Sequence, residues 1–263
     1  MHPSSVSPHA RHDKIAILFS LGGVTLLAWT YLVDMAVSMD AMSVMSMSSV
    51  AEILTIRVWS GRDFVVMFLM WTVMMIGMMV PTAVPMTLVY ATVARKAEAQ
   101  QHPIAPTSVF IVGYVSAWTL FSLGATAAQW ALDQAALLSP MMVTTSPTVG
   151  ATLLLAAGIY QLTPLKHACL THCRGPLHFL VQHWRPGPLG ALRMGFEHGF
   201  FCLGCCWILM GLLFLGGVMN LLWIATITLF VLLEKMIPSG PQAGRVAGIA
   251  MIVVGLVMFA GIH

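Results

Sequence analysis

Residues 64–80 read Phe-Val-Val-Met-Phe-Leu-Met-Trp-Thr-Val-Met-Met-Ile-Gly-Met-Met-Val, and no charged side chain follows before Arg95. A helix needs about 20 mostly apolar residues to cross a bilayer. This run is longer than that, which implies tilt or extension past the lipid. Pro81 and Pro85 lie within it, and each removes a backbone donor and bends the helix. Further apolar runs stand near 15–37, 107–131, 147–166, 194–217, 220–237 and 244–262. They do not alternate apolar with polar residues, so a transmembrane barrel is excluded. In lipid a backbone satisfies its own polar groups only as helices or closed barrels. The expected fold class is all-α, a polytopic transmembrane helical bundle of about seven spans.

Composition agrees. Of 263 residues, 59% are hydrophobic and 8% charged, against roughly 25% charged in a soluble domain. So few charges cannot cover a water-facing surface, and the lipid bilayer is the expected main partner. Lys and Arg concentrate in cytoplasmic loops. With the N-terminus cytoplasmic, the inner segments hold Arg11, Lys14, Arg95, Lys96, Lys166, Arg174, Arg185, Arg193, Lys235 and Arg245, and the outer ones only Arg57 and Arg62. The net charge of +3 is this topology signal and calls for no nucleic-acid partner.

Residues 1–14 read as a cytoplasmic tail, and 15–263 as one transmembrane helical domain. The first apolar run is longer than a signal-peptide core and is read as a retained span. A Met-rich outer loop is expected over 35–62, with a short surface helix around Val50, Ile53, Leu54, Ile56 and Trp59. A His/Cys inner loop is expected over 167–193, and a tight hairpin over Gly216–Asn220.

All five cysteines, Cys169, Cys173, Cys202, Cys205 and Cys206, lie within 38 residues. At 100° per residue, Met194, His198, Cys202, Cys205 and Cys206 fall within an arc of about 120°. Cys169, His172 and Cys173 share a face if the fourth span stays helical to Arg174. On the orientation above these thiols sit in a reducing compartment, and thiolates suit Cu(I), zinc or iron–sulfur clusters. Packing is the competing explanation, because free Cys also behaves as a small hydrophobe.

Twelve of the 21 methionines lie between 35 and 86. Met39 and Met42 belong to the outer loop; Met70, Met74 and Met78 share one face of the second span. Thioethers are soft, uncharged ligands for Cu(I), and several weak sites in a row can pass an ion along. Methionine also fills gaps between helices. Glu197 is expected to pair with Arg193, and Lys166 to snorkel to the interface. No nucleotide-binding or nucleophile motif is present, so an enzyme is the less favoured reading.

Trp71-Thr-Val-Met-Met-Ile-Gly-Met-Met-Val-Pro81, Tyr160-Gln-Leu-Thr-Pro-Leu-Lys166, Cys169-Leu-Thr-His-Cys-Arg174, Gly199-Phe-Phe-Cys-Leu-Gly-Cys-Cys-Trp207, Gly217-Val-Met-Asn220 and Glu234-Lys235 together resemble a bacterial family of metal-binding integral membrane proteins. The resemblance covers roughly residues 60–240 and implies a multi-pass protein of the bacterial inner membrane with a metal site. The function expected from the residues is handling of a soft metal ion, Cu(I) ahead of zinc, by a transporter or delivery protein. The metal ligands are expected among Cys169, Cys173, Cys202, Cys205, Cys206, His198, His172, Met70, Met74, Met78, Met39 and Met42. The alternatives are an accessory subunit of a larger membrane complex, such as a copper oxidase or monooxygenase, and a membrane thiol redox protein. A homo-oligomer fits any of these readings.

The Lys/Arg asymmetry sets a topology test. Labelling of introduced cysteines should place residues near 100 and 180 on one side of the membrane and those near 45 and 140 on the other. Residues 45 and 180 on the same side would overturn the orientation.

Overall fold

A computed structural model describes residues 8–46, 59–98, 105–139 and 142–261. Ten helices account for nearly all of them: α1 Pro8–Ser46, α2 Gly61–Glu98, α3 Thr107–Gln134, α4 Pro147–Gln161, α5 Pro164–Arg174, α6 Pro176–His183, α7 Gly187–Gly211, α8 Leu213–Gly216, α9 Leu221–Met236 and α10 Gly240–Phe259. The one β feature among the described residues is an isolated bridge between Leu138 and Thr144. The all-helical class holds.

Five stretches are long and apolar enough to cross a membrane: His12–Ser38, Gly61–Glu98, Thr107–Gln134, Gly187–Gly216 and Gly240–Phe259. A sixth arises if α4 and α5, bent by 64° at their junction, count as one broken span. The seventh expected segment, α9, is helical but has only 16 residues.

Helix boundaries follow local chemistry. Ser146 and Thr163 cap α4 and α5, their side chains accepting from the amides of Val149 and Lys166. Pro164 is why α4 does not run straight into α5. Proline cannot donate to the preceding turn, so the fourth apolar segment, expected over 147–166, is broken near Leu162 and the run to Arg174 is a separate helix. Gly175-Pro176 then separates α5 from α6. The expected inner loop over 167–193 is mostly helix, and α7 begins at Gly187 rather than at 194. Likewise, residues 35–46 of the expected outer loop continue α1, while the surface helix expected near Val50–Ile56 lies outside the described residues. The hairpin at Gly216–Asn220 is present. Gly217 takes φ +96°, a conformation open to glycine, and Asn220 caps α9 by accepting from Trp223 N at 3.1 Å.

Apolar helices in lipid gain little by burying apolar surface against each other, so close backbone approach matters more. α3 lies against α7 and α4 against α10. A Cβ on Gly195 would collide with the Phe110 carbonyl, and one on Gly113 with the Leu192 carbonyl. Gly158 and Gly248 approach each other in the same way across α4 and α10. Polar links add to this. Trp29 Nε1 donates to the Gly77 carbonyl at 3.2 Å, tying α1 to α2, and Trp71 Nε1 donates to Gln129 Oε1 at 2.6 Å, tying α2 to α3.

Lys166 does not snorkel. It is 2% exposed and pairs with the equally enclosed Glu234 at 2.6 Å, with Gln161 Oε1 as a further acceptor. The side chain turns inward because α9 offers a carboxylate at that depth, which a local reading of α5 cannot show.

Gly195→Val should force α3 and α7 apart and cost about 1–3 kcal/mol or more. Gly124→Ala on α3 meets nothing within 4 Å and should be neutral. Thermal unfolding of the two variants in detergent checks the contrast.

Candidate metal centre

The cysteines of α7 lie deep. Cys202 stands fifteen residues past Gly187, about 22 Å of helical rise. Cys202, Cys205 and Cys206 are all buried. α5 packs beside this stretch of α7. Gly204 leaves the room for it, since a Cβ there would lie 2.7 Å from Cys169 Sγ. One turn on from Cys169, Cys173 packs, partly buried, against the core that holds Cys202, Cys205 and Cys206. Four thiols from two helices thus form one group, and all five cysteines are free.

Cys202 is the hub. Lys235 Nζ donates to its sulfur at 2.9 Å. The Tyr114 hydroxyl lies 3.0 Å away and Thr82 Oγ1 4.0 Å away. Lys235 also donates to Thr82 at 3.3 Å, and Tyr114 to the Met79 carbonyl at 3.0 Å. α2, α3, α7 and α9 therefore meet around one sulfur. One turn before it, His198 is 3% exposed among the rings of Phe110, Tyr114 and Phe179, with centroids 5.2–6.1 Å away. Its Nδ1 has no hydrogen-bond partner among the described residues. A buried polar atom left unpaired is costly, and here it is a nitrogen donor beside a thiol.

Met70, Met74 and Met78 are fully buried in the core that also holds Cys202, Cys205 and Cys206. Successive members are four residues apart, about 6 Å of rise. Toward the start of α2, the thioethers of Met67 and Met142 accept from Gln129 Nε2 at 3.6 and 3.2 Å. Met39 and Met42 lie along α1, but their side chains are outside the described residues. Glu197 pairs as expected with Arg193 at 3.0 Å and also meets Arg185 at 3.2 Å.

The ring contacts of His172 are with Phe201, His178 and His183, so it groups with other imidazoles although Cys173 is its neighbour in sequence. Among the described residues no three His, Cys, Asp or Glu side chains surround a common point as they stand. The thiol orientations account for this in part, because Cys205 and Cys206 both turn back to donate to the Cys202 carbonyl at 3.0 Å. Sequence reasoning missed Thr82, Tyr114 and Lys235 as neighbours of the thiols. Only Lys235 carried a signal: Glu234-Lys235 puts two charges inside an otherwise apolar helix, and ionisable groups at such depth are usually functional.

The PpoB2 family of copper chaperones matches residues 68–258. The chain belongs to this family. The matched stretch runs from α2 through most of α10 and contains every cysteine. It leaves out α1, and with it Met39 and Met42. No curated protein and no solved structure matches the chain. Membership agrees with the donor set, since thiols and thioethers are the ligands that select Cu(I), and it makes copper the cargo to consider.

α5 and α9 are held together by charge. Besides the Lys166–Glu234 pair, Arg174 donates to the Glu234 carbonyl at 2.8 Å and to that of Pro238 at 3.3 Å. Removing one member of a buried pair leaves an uncompensated charge, at about 3–5 kcal/mol. Lys166→Met should therefore lower stability strongly, and Lys166→Met with Glu234→Met should recover most of it. Unfolding curves of the single and double variants decide the point.

Proposed function

We propose that this protein binds Cu(I) at the buried thiol group and hands it to a copper-requiring recipient, as a multi-pass protein of the bacterial inner membrane with its N-terminus in the cytoplasm. The observation that carries this is the packing of Cys169 and Cys173 from α5 against Cys202, Cys205 and Cys206 from α7, inside the region shared with copper chaperones. Cys169 and His198 are reserve donors at its edge. A single Cu(I) needs few ligands, so rotation of two thiols away from the Cys202 carbonyl suffices to present them.

Charge supports the same reading. Cys202 already accepts from a buried ammonium, that of Lys235. With two thiols deprotonated, one Cu(I) and the Lys235 ammonium together leave no net charge in a low-dielectric interior, where an unpaired charge is costly. A divalent zinc ion fits less well on this ground. The methionines of α2 supply softer, neutral donors leading toward Cys202 from the Gln129 end, weak enough to release an ion that thiolates then hold. For the topology, the bent α4–α5 pair and the short α9 complete seven crossings, consistent with the Lys/Arg distribution. A place as accessory subunit of a copper enzyme is compatible with delivery, since a donor must dock on its recipient.

Cys173→Ser with Cys202→Ser keeps side-chain volume nearly constant and removes one sulfur from each helix. The purified variant should lose the tightly held Cu(I) in competition with a chromophoric chelator, while retaining helical content. Binding to the unaltered protein should weaken as pH falls, because protons compete for thiolates. Full copper occupancy in the double variant would overturn the proposal.

A further inference from the structure

Two histidines near the thiol group share a feature that packing does not require. His172 Nδ1 lies 2.8 Å from the Ala168 carbonyl, and His183 Nδ1 lies 3.1 Å from the Phe179 carbonyl. A carbonyl oxygen only accepts, so each Nδ1 carries the proton and each Nε2 keeps a free lone pair. This is the arrangement by which a backbone carbonyl orients a metal-binding imidazole and fixes its tautomer. His167 differs, because its Nε2 already accepts from Arg245 at 3.4 Å.

The rings are also placed for sharing an ion. The centroids of His172 and His183 are 6.2 Å apart. Metal–nitrogen bonds of about 2 Å, extended by each ring's radius, set two imidazoles on one linearly coordinated ion about 6 Å apart, a geometry open to Cu(I) with its few ligands. His178 stands 6.5 Å from His172 as a third, exposed imidazole. The pair is held by aromatic contacts: His172 stacks on Phe201 at 4.3 Å and 3°, and His183 on Phe179 at 4.6 Å and 12°. Phe179 also meets His198 at 5.2 Å, so one ring separates this group from the histidine beside Cys202. Unlike Cys202, Cys205 and Cys206, His172 and His183 are only partly buried and His178 is exposed.

We propose that His172 and His183 form a second, water-accessible copper site through their Nε2 atoms, with His178 beside it, at which Cu(I) is exchanged between the buried thiol group and an external donor or acceptor. This rests on the copper-handling reading above and assigns that function an aqueous port. Imidazole binds Cu(I) less tightly than thiolate does, which suits a position where the ion arrives or leaves.

The test uses the full chain in detergent, loaded with Cu(I) under anaerobic conditions, and reads both stoichiometry and ligand type by X-ray absorption. The unaltered protein should bind a sulfur-ligated ion and a further, weaker one with nitrogen neighbours. His172→Phe with His183→Phe keeps both stacked rings. It should abolish the nitrogen-ligated equivalent, leave the sulfur-ligated one, and slow copper transfer to a soluble chelator several-fold. Cys173→Ser with Cys202→Ser should do the reverse to the two equivalents. Unchanged nitrogen scattering and stoichiometry in the Phe variant would overturn the port and leave the thiol site standing. Retained sulfur ligation in the Ser variant would overturn the thiol site instead. Should the Phe variant not fold, carbethoxylation of the unaltered protein, mapped by mass spectrometry, decides: Cu(I) should protect His172 and His183, and equal modification with and without copper would refute the site.

Discussion

Lys166 reaches from α5 to Glu234 on α9 through a region that water hardly enters, and Arg174 closes on the carbonyls of Glu234 and Pro238 from the other end of the same helix. Much of the candidate site hangs on these contacts. α5 is short, follows a proline break and packs mainly on α7, and these charges fix it from a second side. Held to α9, it lays Cys169 over Gly204 and Cys173 against the core that holds Cys202 and Cys205. The next residue of α9 after Glu234 is Lys235, whose ammonium reaches Cys202. Adjacent residues on one helix thus do two tasks: the carboxylate positions the helix that brings in a thiol, and the ammonium addresses the thiol group itself.

The donors have an order in space that follows their chemistry. Thioethers line α2, thiols gather where α5 meets α7, and imidazoles lie between α5 and α6, partly or fully exposed. Thioethers and thiols bury readily, because free Cys and Met both pack as apolar side chains. Imidazoles carry a polar N–H that wants a carbonyl or water, and His172 and His183 satisfy it on their own helices. The sulfur-rich core serves packing and ligation at once, so burial alone does not separate the two roles. Meeting of donors from different helices, as with Cys173 and Cys202, bears on ligation more directly. The family match begins at residue 68, so α1 lies outside the matched stretch.

Helical class, the approximate positions of seven apolar segments and the common face of Met194, His198, Cys202, Cys205 and Cys206 all follow from residue order. Each rests on a local property: length of apolar run, absence of alternation, or a 3.6-residue period. The capping of α9 by Asn220 and the glycine turn at 217 are local in the same sense. A resemblance to a family of metal-binding membrane proteins was legible too, because its motifs are short and contiguous. Two local signals were passed over: Pro164, which breaks the fourth span, and Gly187-Pro188, which starts α7 in a segment too polar to look like a span.

The partners of buried polar groups belonged to the tertiary structure alone. Lys166 carries the same sequence signal whether it reaches out to the interface or in to Glu234, and only the arrival of α9 at that depth decides between them. His172 sits beside Cys173 in the chain, yet helical rotation of about 100° per residue sends the two to different neighbours, one to imidazoles and one to thiols. Tyr114 and Thr82 carry no signal of their own and matter because α2 and α3 bring them to Cys202. Periodicity tells which residues share a face. Which face meets which depends on the glycine contacts and buried charges that set the helices against one another, and those are interactions between residues far apart in sequence.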